Sequence, residues 1–373
     1  MTMTTTTGIG TIPAPAQITA LQQVREYPAI SLLLSTTPAA ELTGTDALRL
    51  DALAAEAVQR LRGELQPAAA APAIGRLHTL IDQAHRGPTG RGLAVYASAG
   101  SQALIRLPIG VRDRAVVDPT FATRDLIRAL HRTPRHLVLA LNAGHARLLE
   151  AAADTLLPAA TSAFPMSAGR RTATGRATRG RGRADRPTRQ TPAGDFFRQV
   201  DAALGAYLCL HPAPLVLVGD ERTTAAFKRL SANCQRLAGT VTGNLATTQP
   251  AELTGRIRAV LDAYLHRRQD DALALLQQRT AAGRVTSGMP AAWRAARTGR
   301  PEMLAVDDSL YYPARLSDDG DTLTPAADID HPDVIDDAVD ELIELVLARG
   351  GWIAFTTPGA LAGHQGVALV TCR

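Results

Sequence analysis

Short apolar runs alternate with stripes of helical period along almost the whole of this 373-residue chain. That alternation restricts its fold more than any other feature. Apolar runs bounded by Gly, Pro or polar clusters read as buried strands, and apolar residues recurring three or four apart read as one face of a helix. Strands are predicted at 29–35, 92–98, 102–107, 135–141, 145–151, 214–219, 301–306, 352–356 and 366–371. Helical stripes lie between them, for example Leu50, Leu53, Ala57, Leu61 and Leu65, then Leu77, Leu80, Ile81 and Ala84 beyond an Ala/Pro run from Pro67 to Pro72. Phe197, Val200, Leu204, Tyr207 and Leu208 form another, as do Ile257, Val260, Leu261, Tyr264 and Leu265. A last stripe, Ile335, Ala338, Val339, Leu342 and Val346, is expected to begin near Pro332 and to end at Gly350-Gly351. Strands alternating with helices argue for an α/β protein, and the length argues for more than one domain.

The Thr-, Gly- and Pro-rich residues 1–20 are read as a disordered tail. An N-terminal α/β domain is expected over 21–132, ending at His131-Arg132-Thr133-Pro134. A middle domain covers 133–252 and a C-terminal domain 253–373. Inside the middle domain, residues 158–193 carry no apolar period, and a loop of that length is functional or disordered. No apolar run approaches the roughly 18 residues of a membrane span, and the polar, uncharged start does not read as a signal peptide. Three widely spaced cysteines, Cys209, Cys234 and Cys372, fit a reduced, cytoplasmic protein rather than a disulfide scaffold. The one lysine, Lys228, follows Phe227, which excludes a Gly-x-x-x-x-Gly-Lys phosphate loop.

The net charge of +5 hides a strong separation. Residues 302–344 hold fourteen acidic side chains and one basic one, so the remainder carries +18. The sharpest cluster is 167–189, with Arg170, Arg171, Arg176, Arg179, Arg181, Arg183, Arg186 and Arg189 against Asp185 alone. Interleaved glycines leave room for guanidinium groups to follow a phosphate backbone, which they bind bidentately. Arginine usage is general in this chain, so the clustering carries the reading of an RNA-binding segment; the competing reading is a solvated linker. On the acidic side, Asp333, Asp336, Asp337, Asp340, Glu341 and Glu344 flank the last apolar stripe. They read as a solvated face or as a docking surface for a basic protein.

Catalytic patterns are weak. Histidines and cysteines lack metal-ligand spacing, no Gly-x-Ser-x-Gly elbow occurs, and neither a metal nor another cofactor is expected. Asp195, Asp201 and Asp220 are the carboxylates from which a middle-domain hydrolase would draw, but Asp195 and Asp220 stand where helix caps are expected.

Four stretches carry a further signal: RHLVLALNAGHARLLEA (135–151); GDFFRQVDAALGAYL from Gly194 with the following APLVLVGDERTTAAF; GMPAAWRAARTGRPEMLAVDDSL (288–310); and ELVLARGGWIAFTTPGALAGHQGVALVTCR (344–373). Together they resemble the bacterial relatives of the archaeo-eukaryotic peptide-chain release factors and of Pelota. The resemblance implies three small α/β domains, the middle one ribonuclease-H-like and the C-terminal one ribosomal-protein-like α/β/α. It also implies a factor that enters the ribosomal A site, contacts rRNA and tRNA there, and is delivered by a translational GTPase. Release factors carry a catalytic Gly-Gly-Gln in a loop after the first strands of the middle domain. In this sequence that position holds the arginine-rich segment and the tripeptide is absent; Gly363-His364-Gln365 lies in a different domain. The expectation is a non-catalytic factor for ribosome rescue, hibernation or quality control. The alternatives are an RNA or peptidyl-tRNA hydrolase and a protein-interaction module.

Overall fold

The computed structural model describes residues 4–6, 15–152, 155–168, 192–243, 250–327, 331 and 333–372. It is a mixed α/β structure whose contacts group into two compact units, one made of residues 134–265 and the other of 1–133 together with 266–373.

In the second of these units, an N-terminal sheet runs in the order Thr4–Thr6, Gln102–Leu107, Gly92–Ala97, Ala29–Ser35, Arg114–Asp118. The Thr4–Thr6 strand is parallel to its neighbour and the rest are antiparallel. Side chains alternate across a strand, so both faces of this sheet need cover. Ile30, Leu32, Leu34 and Val95 pack on helices Gly44–Glu64 and Pro67–His85. The first helix is capped by Thr43, whose hydroxyl accepts from Asp46 N at 3.2 Å. Pro67 opens the second, so the Ala/Pro run forms the first turns of that helix.

The opposite face, with Ala29, Leu33, Ala94 and Tyr96, belongs to one continuous core with Trp293, Leu304, Leu342, Val346 and Leu369 of the C-terminal region. Helices Pro15–Gln22 and Arg124–Arg132 contribute to it. For residues 15–20 this corrects the reading as a disordered tail. Ile18 and Leu21, three apart on one helical face, are buried, and only the shared core gives so short a helix a surface to cover.

The C-terminal sheet runs Val285–Ser287, Val367–Thr371, Pro301–Asp307, Trp352–Thr356. Its last two strands are parallel and joined through helix Ala338–Ala348. That helix and Met289–Thr298 cover one face, while Ala272 and Leu276 of the long helix Pro250–Ala281 cover the other, giving an α/β/α sandwich. The last long helix begins at Ala338, not near Pro332. Val334–Ile335 is instead a strand paired with Ala314–Leu316, and Asp337 caps the helix by accepting from Val339 N at 3.2 Å.

The unit of residues 134–265 holds a sheet in the order Leu237–Thr242, Leu215–Gly219, His136–Leu141, His145–Ala152, Thr155–Pro158. The first three are parallel and the last three antiparallel, a 3-2-1-4-5 order when its five main strands are numbered along the chain, as in ribonuclease-H-like sheets. Phe196, Phe197, Val200 and Leu204 of helix Pro192–Leu210, with Phe227 of helix Glu221–Leu230, fill one face. Leu253, Ile257 and Leu261 fill the other. Among the described residues no helix is long and apolar enough to cross a membrane.

Candidate functional site

The arginine-rich segment joins two well-defined ends. At its entry, the tip of the hairpin between strands His136–Leu141 and His145–Ala152 is a side-chain-closed turn. The Asn142 carboxamide oxygen accepts from Gly144 N at 2.9 Å and from His145 N at 2.7 Å, which fixes the turn that the Asn-Ala-Gly sequence announces. The short strand Met166–Ser167 adds to this tip, with Ser167 opposite His145. His145 Nδ1 lies 3.0 Å from Ser167 Oγ, and Ala168 N donates to Gly144 O at 2.7 Å. The chain is next described at the start of helix Pro192–Leu210. Arg170, Arg171, Arg176, Arg179, Arg181, Arg183, Arg186 and Arg189 lie outside the described residues. The segment is therefore rooted at the tip of the first hairpin of a ribonuclease-H-like sheet.

The three candidate carboxylates of this unit are each engaged locally. Asp195 pairs with Arg198 at 2.6 Å. Asp201 accepts from Ser231 Oγ, Ala232 N and Asn233 Nδ2 at 2.5–3.0 Å, tying helix Pro192–Leu210 to the end of the next helix. Asp220 is an N-cap, accepting from Thr223 Oγ1 at 2.6 Å and Thr223 N at 2.8 Å, and these bonds lower its pKa. Asp220→Ala is expected to cost about 1 kcal/mol of stability, seen as a lower urea midpoint for the middle unit. Among the described residues no group of three or more His, Cys, Asp or Glu side chains is arranged to hold a metal ion. Gly363-His364-Gln365 sits in the closing turn of the C-terminal sheet, where His364 Nδ1 meets Ser287 Oγ at 2.7 Å.

The acidic segment is placed differently from the sequence reading. Of its six residues only Asp333 faces solvent, beside His331. Asp336, Asp337, Asp340 and Glu344 are between 3% and 8% exposed, and with Glu341 they face the chain's own N-terminal region. Arg114, on the edge strand Arg114–Asp118, reaches Asp337 at 3.4 Å, Asp340 at 3.5 Å, and Asp125 and Asp336 at 3.6 Å. Arg124 pairs with Asp337 at 2.9 Å, and its backbone N–H donates to Asp340 at 3.1 Å. Thr120 donates to Glu341 at 2.6 Å, while Thr123 and Arg25 donate to Glu344 at 3.1 and 3.2 Å. The reading of Asp336, Asp337, Asp340, Glu341 and Glu344 as a surface for another protein is thus corrected, because their basic partner lies within the same chain. Asp340 and Glu344 stand four apart on helix Ala338–Ala348 and so share the face that these partners meet, while Asp336 and Asp337 precede the helix. Arg114, Arg124, Asp118 and Asp125, the other half of this clasp, carry no comparable signal.

The sheet orders and the α/β/α C-terminal region define a mixed α/β protein built from several small sheets. Residues 135–300 match the family model of the bacterial archaeo-eukaryotic release factor family 3. Among solved structures it is similar to a ribosome-bound archaeal Pelota described with ABCE1 (12% identity, 98% of this chain and 95% of that one, TM-score 0.45). It is also similar to Dom34 of S. cerevisiae (10%, 76% and 73%, TM-score 0.43) and to the archaeal translation termination factor aRF1 (13%, 96% and 96%, TM-score 0.25). No curated protein matches the chain.

Proposed function

We propose that this chain is a cytoplasmic, ribosome-associated translation factor that acts by occupying the ribosome rather than by hydrolysing peptidyl-tRNA. The observation that carries the reading is the release-factor family match over 135–300, which encloses eight arginines where those factors hold their catalytic loop. In this reading Arg170, Arg171, Arg176, Arg179, Arg181, Arg183, Arg186 and Arg189 grip rRNA or tRNA, and a translational GTPase delivers the protein. Rescue of stalled ribosomes, hibernation and quality control all fit such occupancy. The absence of Gly-Gly-Gln supports binding without peptide release, as does the local use of Asp195, Asp201 and Asp220.

The test uses ribosomes stalled with labelled peptidyl-tRNA. The expected result is stable association with the ester bond intact. Release of the peptide, or magnesium-dependent RNA cleavage lost in Asp220→Asn, would favour the hydrolase instead.

A further inference from the structure

The clasp between the N-terminal sheet and the C-terminal helix buries more carboxylates than it has cations to match. Seven acidic groups meet there: Asp118, Asp125, Asp336, Asp337, Asp340, Glu341 and Glu344. Arg114 and Arg124 are enclosed with them. Three further guanidiniums reach the cluster from its margins: Arg25 at Glu344, Arg128 at Asp125, and Arg60, which faces Asp118 and Asp336 and is also paired with Glu64. Even with all five counted, two carboxylates are in surplus. The remaining polar neighbours do not supply the missing charge. Tyr311 donates to Asp336 at 2.9 Å, and Thr120 and Thr123 donate to Glu341 and Glu344. Among the described residues Asp336 Oδ2 is buried and accepts no hydrogen bond, with Arg114 Nη1 3.6 Å away and shared with three other carboxylates, and Asp118 accepts only the backbone N–H of Asp336, at 3.3 Å. A buried charge without a partner is neutralised by taking up a proton rather than held ionised.

We propose that this clasp is a proton-loaded latch: the two faces stay together while the surplus carboxylates are protonated and part reversibly as they ionise. Asp118, with no guanidinium within 4 Å among the described residues, and Glu344, whose one paired cation, Arg25, is more than half exposed, are the groups that carry the surplus. Burial, with Asp336 beside Asp118 and Glu341 beside Glu344, pushes each up to about 7. Burial also raises Asp336 and Asp340. A carboxylate raised in this way binds its proton more tightly closed than open. The closed form is therefore favoured fully below the free carboxylate value of about 4 and loses that advantage as pH rises towards about 7. The latch is independent of RNA binding by the middle unit, so either can fail alone.

Amide hydrogen exchange on the full-length protein tests it. Exchange of strand Arg114–Asp118 and helix Ala338–Ala348 is divided by that of the buried strand Leu215–Gly219 in the other unit, which cancels the intrinsic effect of pH. The ratio is expected to rise by about tenfold per pH unit for each proton released between about pH 5 and pH 7. It should rise less steeply in the isosteric Asp118→Asn/Glu344→Gln variant, which keeps Asp336 and Asp340, and rise as in the wild type in Asp333→Asn, whose carboxyl is outside the clasp. A wild-type ratio that does not change with pH overturns the proposal, and so does an equal rise in the double variant.

Discussion

Arg114→Gln is expected to destabilise the unit of residues 1–133 and 266–373 by about 3–5 kcal/mol near neutral pH. This is a large part of the roughly 5–15 kcal/mol by which a folded protein exceeds its unfolded state. The reason is the imbalance that the substitution leaves behind. Arg114 is the one guanidinium within 4 Å of four carboxylates, Asp125, Asp336, Asp337 and Asp340, and its side chain is 11% exposed. Without it, Arg124 must serve Asp337 and Asp340 alone, and Asp336 keeps the Tyr311 hydroxyl and the more distant Arg60. Arg114→Met should be no milder, since it preserves packing but not charge. Adding Asp336→Asn and Asp340→Asn should restore much of the loss, because groups in one network do not act additively. Urea denaturation near pH 7 measures the effect. The loss should shrink below about pH 5, where the orphaned carboxylates take protons.

Much of the fold was legible because its signals are local. The strands at 92–107 and 135–151 are each separated by a Gly-containing turn, and the helices carry stripes long enough to show a 3.6 period. The cap at Asp220 could be read because Ser, Thr, Asp and Asn at a strand-to-helix junction satisfy free backbone N–H groups. Where the reading departed from the structure, the deciding contact is remote in sequence. The acidic flank of helix Ala338–Ala348 resembles a solvated face until Arg114, more than 200 residues earlier, is placed against it. That arginine lies in the five-residue strand Arg114–Asp118, too short to announce itself by alternation. Ile18 and Leu21 were hidden for the same reason, since their helix spans eight residues and its burial depends on a core formed by both ends of the chain. Pro332 read as a helix start because proline favours a first turn, yet pairing of Val334–Ile335 with Ala314–Leu316 takes precedence over that local preference. In the middle unit the candidate site was visible as clustering of charge, a property of sequence alone. The hairpin that roots it was legible too; only the side-chain closure of its turn and the added strand Met166–Ser167 required the structure.

Electrostatic attachment of the arginine-rich segment to RNA has the largest expected consequence for function. Each phosphate that a guanidinium neutralises releases condensed counterions, so log K falls by roughly 0.7–0.9 per contact for each decade of salt. If all eight arginines engage, the slope is roughly −6 to −7, and affinity drops about 10³–10⁵-fold between about 50 and 200 mM salt. Replacing Arg170, Arg171, Arg176, Arg179, Arg181, Arg183, Arg186 and Arg189 by glutamine should remove most of that slope. The packed sheet and its two covering layers are formed by other residues, so they should be left in place. Co-sedimentation of the full-length protein and this variant with ribosomes over rising salt is the most direct test. Steeply salt-dependent pelleting of the wild type, with the variant left in the supernatant, is the predicted result; equal pelleting of the two proteins at every salt concentration would contradict it.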